Sequence, residues 1–147
     1  MDYVSISKQE ISVEEVAAQA SSPDCGAISL FIGTTRNHVQ AKKVVYLVYE
    51  AYEPMAVKEM KKICDEMRQK WPIKHVIMVH RVGAVPIREA SVVIAVSSEH
   101  RQEAQEAVMW AIDNLKARVP IWKKEYYEDG EKVWKENREC PWRNSSP

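Results

Sequence analysis

The sequence predicts an α+β fold in which a largely antiparallel sheet is covered by two long helices. Three observations predict it. Short β-branched and aromatic runs recur along the chain, above all "AISLFI" (27–32) and "VVYLVYEAY" (44–52). Two longer stretches carry their apolar residues at helical spacing instead. The resulting order, β-α-β-β-α-β-β-α-β-β, brings strands in consecutive runs rather than in strict alternation with helices.

Each element follows from local chemistry. Tyr3-Val4-Ser5-Ile6-Ser7 alternates like a short strand. Ser12 followed by Glu15 has the capping-box pattern and opens a short helix to about Ala20. Pro23-Asp24-Cys25-Gly26 reads as a turn before the strand 27–32, and "GTTRNHVQA" (33–41) as a polar loop before the strand 44–52. Pro54 suits a first helical turn, and Met55, Val57, Met60, Ile63, Cys64 and Met67 continue at helical spacing until Trp71-Pro72 stops them. Residues 73–79 predict a strand, 82–86 a connection and 91–96 another strand. Ser97 or Ser98 can cap a long helix to about Ala117, whose apolar positions are Ala104, Ala107, Val108, Ala111, Ile112 and Leu115. Pro120 bars its continuation. Residues 121–127 predict a strand, Asp129-Gly130 a turn and 132–134 a short return strand. A single domain over 1–142 is expected, with a polar, frayed tail at 143–147.

The totals narrow the function. A chain of 147 residues buries enough surface to need no staple. Its zero formal charge argues against non-specific nucleic-acid binding. Cys25, Cys64 and Cys140 are an odd set without CxxC spacing, which suits packing residues in a reducing compartment better than a disulfide or zinc framework. The start Met1-Asp2-Tyr3 has no signal-peptide pattern, and no apolar run has membrane-spanning length. The cytosol is therefore the expected address. There is no phosphate-cradling glycine loop, Ser/His/Asp pattern, HxH or HExxH, so no metal site is expected.

What remains is the placement of cations. "LKARVPIWKKE" (115–125) concentrates Lys116, Arg118, Lys123 and Lys124 around a stiff apolar piece. Val108, Ile112 and Lys116 lie on one line of a helix, so Lys116 continues an apolar row at the helix end. Lys123 shares a strand face with Ile121, and Pro120 turns that strand back toward the helix end. The spacing predicts that Lys116 and Lys123 converge on one partly apolar pocket, as proton carriers, nucleophiles or carboxylate clamps. The bland alternative is two solvated lysines, one of them complementing a helix dipole. His100 and Arg101 open the last long helix, where free N–H groups favour an anion; a surface ion pair with Glu99 or Glu103 is the competing reading. Arg36, with His38, sits on the polar loop after a strand, either functional or simply solvated.

Five stretches in order, "CGAISLFIGTTRN" (25–37), "YEAYEPMA" (49–56), "HRVG" (80–83), "SSEHR" (97–101) and "LKARVPIWKKE" (115–125), resemble the family of large, catalytic subunits of molybdopterin synthase. The likeness runs from about residue 3 to about residue 140, and the paired threonines before Arg36 together with "VPIWKKE" are similar to the eukaryotic branch. The resemblance implies an α/β hammerhead-type fold and a homodimer, each subunit docking a small ubiquitin-like subunit to give a heterotetramer. It implies that the small subunit ends in Gly-Gly as a thiocarboxylate and donates sulfur to cyclic pyranopterin monophosphate (precursor Z), twice, forming the dithiolene of molybdopterin. No cofactor and no metal are implied for the large subunit, because the partner supplies the sulfur. Carried over by position, the pocket lysines fall on Lys116 and Lys123, and the anion-binding residues on Arg36, His100 and Arg101. A further arginine from the other protomer falls on Arg138, while Phe31 and Ile112 line the pocket walls. The family often has glycine in the turn before the strand 91–96, where this chain reads Arg88-Glu89-Ala90. Two other classes compete: a non-catalytic scaffold that only binds a ubiquitin-like tail, and a small RNA-binding domain, against which the zero charge counts.

Overall fold

A computed structural model describes residues 1–39, 42–130 and 132–135 of the chain. Its first half runs β1 (Asp2–Ser7), α1 (Val13–Ala20), β2 (Ala27–Thr34), β3 (His38–Val39), β4 (Lys42–Ala51) and α2 (Glu53–Lys70). Its second half runs β5 (Ile73–Arg81), β6 (Gly83–Pro86), β7 (Ala90–Ser98), α3 (Arg101–Arg118), β8 (Ile121–Tyr127) and β9 (Lys132–Lys135).

The strands form two sheets, where the sequence predicts one. The first has the order β1-β5-β7-β2, with β1 parallel to β5 and the other pairs antiparallel. The second has the order β3-β4-β8-β9, and β6 also pairs with β4. The polar loop expected at 33–41 is shorter than predicted: Gly33 and Thr34 stay in β2, and His38–Val39 pairs with Lys42 and Lys43. The connection expected at 82–86 contains β6, paired through Gly83↔Tyr49 and Val85↔Leu47. Both misreadings have one cause. These pieces owe their strand geometry to pairing with β2's neighbours or with β4, a tertiary effect that local propensity does not carry.

Burial explains the strand sequences. All nine residues of β7 are buried, because α1 covers one face of its sheet and α2 with α3 cover the other. A central strand covered on both faces needs no polar alternation, and "ASVVIAVSS" shows none over its first seven residues. β2, at the sheet edge, alternates half-buried and exposed residues instead.

α2 presents Ala56, Met60, Ile63, Cys64 and Met67, all fully buried, to Val76, Met78, Val92, Ile94 and Val96. Removing such a side chain costs about 2–5 kcal/mol. α3 brings Ala104, Ala107 and Ala111 to the same core, and these small residues let the helix lie close to the sheet. Burial pushes the Cys64 thiol up to about 12, which makes it a packing residue.

The caps fix where α3 begins and ends. Its N-cap position is His100, which makes no side-chain cap bond. Ser98 does the work from two residues upstream: its Oγ accepts from the Ala104 N–H at 3.1 Å and donates to the His100 carbonyl. At the far end Val119 N–H bonds Leu115 O at 3.0 Å, and Pro120 sends the chain into β8. α1 starts as its capping box requires, with Ser12 Oγ accepting from Glu15 N at 3.2 Å.

The turn before β7 contains Arg88 at φ 78°, a left-handed conformation that favours glycine. Arg88 is exposed, so little packing opposes a change there. Arg88→Gly is expected to stabilise the protein by about 1 kcal/mol, read by calorimetry as a Tm rise of about 3 °C. An unchanged or lower Tm would show that the arginine side chain makes contacts worth as much as the strain.

Candidate active site

Pro120 turns β8 back so that it runs antiparallel to β4, with Ile121 opposite Ala51, Lys123 opposite Tyr49 and Glu125 opposite Leu47. Strand alternation then puts Ile121, Lys123 and Glu125 on one face, together with Leu47 and Tyr49. That face meets the last turns of α3, where Ile112, Leu115 and Lys116 follow each other along the helix. Between them lies a cavity of about 350 Å³. β2 and the residues after it close another side through Phe31, Gly33, Thr35 and Arg36, and His80, Ser91 and Val92 close the remaining side.

Five residues expected at one site therefore line one cavity: Phe31, Arg36, Ile112, Lys116 and Lys123. The other cations of the basic stretch have separate roles. Arg118 ties α3 to α2, at 2.7 Å from Glu66 and 3.4 Å from Glu59. Lys124 lies 5.7 Å from the centre of the Tyr126 ring.

His100 and Arg101 do not reach this cavity within the chain. They sit at the start of α3, Arg101 fifteen residues before Lys116, which is about 22 Å along a helix, and His100 one residue earlier. Both are exposed, with His100 Nε2 3.6 Å from Glu99 Oε1. The expectation that they join Arg36 is corrected for a single copy, because a rigid helix keeps its two ends apart. Arg138, Cys140, the tail 143–147 and the side chain of His38 lie outside the described residues.

Charge and burial are graded along the cavity. Arg36 and Lys116 are exposed at its mouth and Lys123 is half-buried. The inner end is lined by buried Thr35, His80, Ser91 and Glu125. Lys116 is thus less withdrawn from water than a sealed pocket would make it.

His80 Nδ1 lies 2.8 Å from the Arg81 carbonyl, which can only accept, so Nδ1 carries the proton and Nε2 is bare. Burial lowers its pKa to about 4 and keeps the ring neutral. Tyr49 meets that ring edge-on at 5.0 Å, and burial pushes its phenol up. Ser91 Oγ donates to Gly33 O at 3.2 Å. Tyr127 OH donates to Glu125 Oε1 at 2.6 Å, and this bond holds the phenol up at about 12.

These inner residues are the part that sequence reasoning does not supply. "HRVG" and "YEAYEPMA" contain His80 and Tyr49, yet nothing in either stretch says that β4 lies across β5. The one available signal is that His80 directly follows the apolar run Val76-Ile77-Met78-Val79 within "IKHVIMVHR".

Among the described residues no group of three or more His, Cys, Asp or Glu could hold a metal ion. No helix there is long and apolar enough to cross a membrane. A molybdopterin synthase catalytic subunit from Taeniopygia guttata is 61% identical over 145 residues, covering 98% of this chain and 93% of its own length. One from Bos taurus is 58% identical over 144 residues, covering 98% of this chain and 76% of its own. The crystal structure of molybdopterin synthase from Staphylococcus aureus superposes with a TM-score of 0.84 at 41% identity, over 88% of this chain and 94% of that one. A complex of subunits 1 and 2 of the molybdopterin-converting factor from Helicobacter pylori shares the fold, with a TM-score of 0.77 at 20% identity over 94% and 93%. A model of the MoaE protein family matches residues 6–118. The chain belongs to the MoaE family, whose curated members carry the name molybdopterin synthase catalytic subunit.

Proposed function

We propose that this chain transfers sulfur from the C-terminal thiocarboxylate of a small ubiquitin-like subunit to precursor Z, giving the dithiolene of molybdopterin. The observation that carries the reading is the convergence of Arg36, Lys116 and Lys123 on one cavity with apolar walls. Its volume of about 350 Å³ lies at the small-ligand end of binding sites, enough for one phosphorylated heterocycle and a peptide terminus at its mouth.

The proposed division of labour follows charge. Arg36 holds the cyclic phosphate through its planar fork. The anionic tail is drawn to the mouth by Lys116. Its sulfur bonds to a substrate carbon as a carbon–oxygen bond there breaks, the oxygen leaving with the opened phosphate in one transfer and as water in the other; water then cleaves the acyl–sulfur bond, leaving a carboxylate on the tail and the sulfur on the substrate. An oxyanion develops at the tail carbonyl, and a fixed ammonium, Lys123, stabilises it. Either amine can carry the protons that ring opening of the phosphate and loss of water require. No cofactor or metal enters this scheme, since the partner brings the sulfur. The proposed compartment is the cytosol, and the free thiols of Cys25 and Cys64 suit a reducing one.

A homodimer gives His100 and Arg101 a role that one copy cannot. β2 is an edge strand with Ile28, Leu30 and Ile32 each about two-fifths exposed on one face. Its start is next to the α3 start, through Ala27↔Ser98 and Gly26 N–H on Glu99 O at 3.1 Å; its end leads to Arg36. A two-fold axis perpendicular to β2 at its centre would run two copies antiparallel and bring His100 and Arg101 of one to the Arg36 mouth of the other.

Incubating the chain with precursor Z and a thiocarboxylated small subunit tests the whole reading; tail binding without dithiolene formation would leave only a scaffold. Arg36→Ala is expected to weaken precursor Z binding about 10–100-fold, the range for a lost charge-assisted hydrogen bond, and a titration at wild-type affinity removes the phosphate clamp. Mixing Lys123→Ala with Arg101→Ala protein is expected to recover about a quarter of wild-type activity at low substrate, since half of the dimers are mixed and each then has one intact site. No recovery over the separate variants sinks the shared site.

A further inference from the structure

The cations stand at the mouth of the cavity, and the groups at its inner end are neutral or acidic. That leaves the inner end with no charge to match a phosphate or a thiocarboxylate. It has hydrogen-bonding capacity instead. His80 is 5% exposed, its Nδ1–H is committed to the Arg81 carbonyl, and its Nε2 is a bare acceptor. The Thr35 hydroxyl, in a residue also 5% exposed, has no hydrogen-bond partner among the described residues. Both residues line the cavity. Leaving a buried hydroxyl unpaired costs about 1–3 kcal/mol, and a ligand that satisfies it recovers that cost.

We infer that His80 and Thr35 form a reader for the hydrogen-bonding edge of a fused nitrogen heterocycle, His80 Nε2 accepting a ring or exocyclic N–H and the Thr35 hydroxyl donating to the neighbouring carbonyl. The inference rests on the sulfur-transfer reading only in taking the pterin of precursor Z as that heterocycle. It adds an orientation: the pterin edge lies inward and the phosphate outward, toward Arg36. The second sheet holds the reader in place. Tyr49 on β4 stacks its edge on the His80 ring at 5.0 Å, so the imidazole plane is set by the strand that also carries the partner of Lys123. A site built to hydrogen-bond its ligand rejects analogues that lack those groups far more strongly than an apolar slot does.

The test measures binding of three probes to the folded chain: 2-amino-4-oxopteridine, unsubstituted pteridine and precursor Z. The wild type is expected to bind the amino-oxo compound at least tenfold tighter than bare pteridine. Thr35→Val, which keeps the shape, and His80→Phe are each expected to weaken the amino-oxo compound and precursor Z by about the same factor, tenfold or more. Arg36→Ala is expected to weaken precursor Z while leaving the phosphate-free probe unchanged. Equal binding of the two pteridines by the wild type, no saturable binding of the amino-oxo compound, or wild-type affinities in both Thr35→Val and His80→Phe overturns the reader. If His80→Phe fails to fold, the Thr35→Val titration and the wild-type ligand comparison decide. Loss of precursor Z binding in Arg36→Ala alone would leave the sulfur-transfer reading standing without the reader; no binding of precursor Z by the wild type would remove that reading itself.

Discussion

Lys123→Met is expected to lower the rate of dithiolene formation at least about 100-fold, the range lost when one preorganised oxyanion donor or acid–base group is removed. Lys116→Ala should fall in the same range. Methionine keeps the length and apolar stem of Lys123, whose residue is half-buried on the cavity face of β8, so packing is largely retained. Lys116 is exposed, and its removal leaves no hole. Both variants should therefore melt within about 0.5 kcal/mol of the wild type, as surface changes do. The kinetic split separates their roles. A loss in kcat at unchanged KM for the small subunit marks an interaction made in the transition state; a raised KM for that subunit marks grip on the tail. We expect the first for Lys123 and the second to contribute at Lys116. A wild-type rate in either variant, with thiocarboxylated partner in excess, ends the catalytic assignment for that residue.

The convergence of those two lysines was legible in the sequence because it depends on short-range geometry. Four-residue spacing aligns Val108, Ile112 and Lys116, two-residue spacing aligns Ile121 and Lys123, and Pro120 forces the turn between them. Arg36 and Phe31 needed more than spacing: they join through the pairing of β2 with β7, Arg36 standing out only as a cation on a polar loop and Phe31 only through resemblance to a family. The second sheet was not legible. β6 and β3 are too short to announce themselves, and the register that sets Tyr49 beside Lys123 is a long-range fact. His80 was hidden for the same reason, since its neighbours in the chain look like core and its neighbour in space is on another sheet. His100 and Arg101 show the opposite limit, for a single copy. Their local setting at a helix start invited an anion site, but a helix of eighteen residues separates them from the cavity they were expected to join.

Acidification between pH 6.5 and pH 4 is expected to destabilise the protein by up to about 3 kcal/mol through His80 alone. In the unfolded chain this histidine protonates near its ordinary 6.5; in the folded protein burial holds it neutral down to about 4. Over that window the unfolded state binds the extra proton, so stability is full above 6.5 and is lost as pH falls toward 4, at about 1.4 kcal/mol per pH unit. His75 is shifted in the same direction, by partial burial and then the nearby N-terminal ammonium, and adds to the slope. Asp24 is held at about 2, first by the Ser22 and then by the Lys74 hydrogen bond, so its contribution is lost only at lower pH. Denaturant titrations at half-unit steps should show the fall, and His80→Gln, which cannot take up the proton, should flatten most of it whatever its absolute stability. The same slope in His80→Gln would mean that the ring opens to water before it protonates. A flattened slope ties stability to the state in which Nε2 is bare, so the condition that keeps the sheet junction closed is also the one that leaves an acceptor facing the cavity.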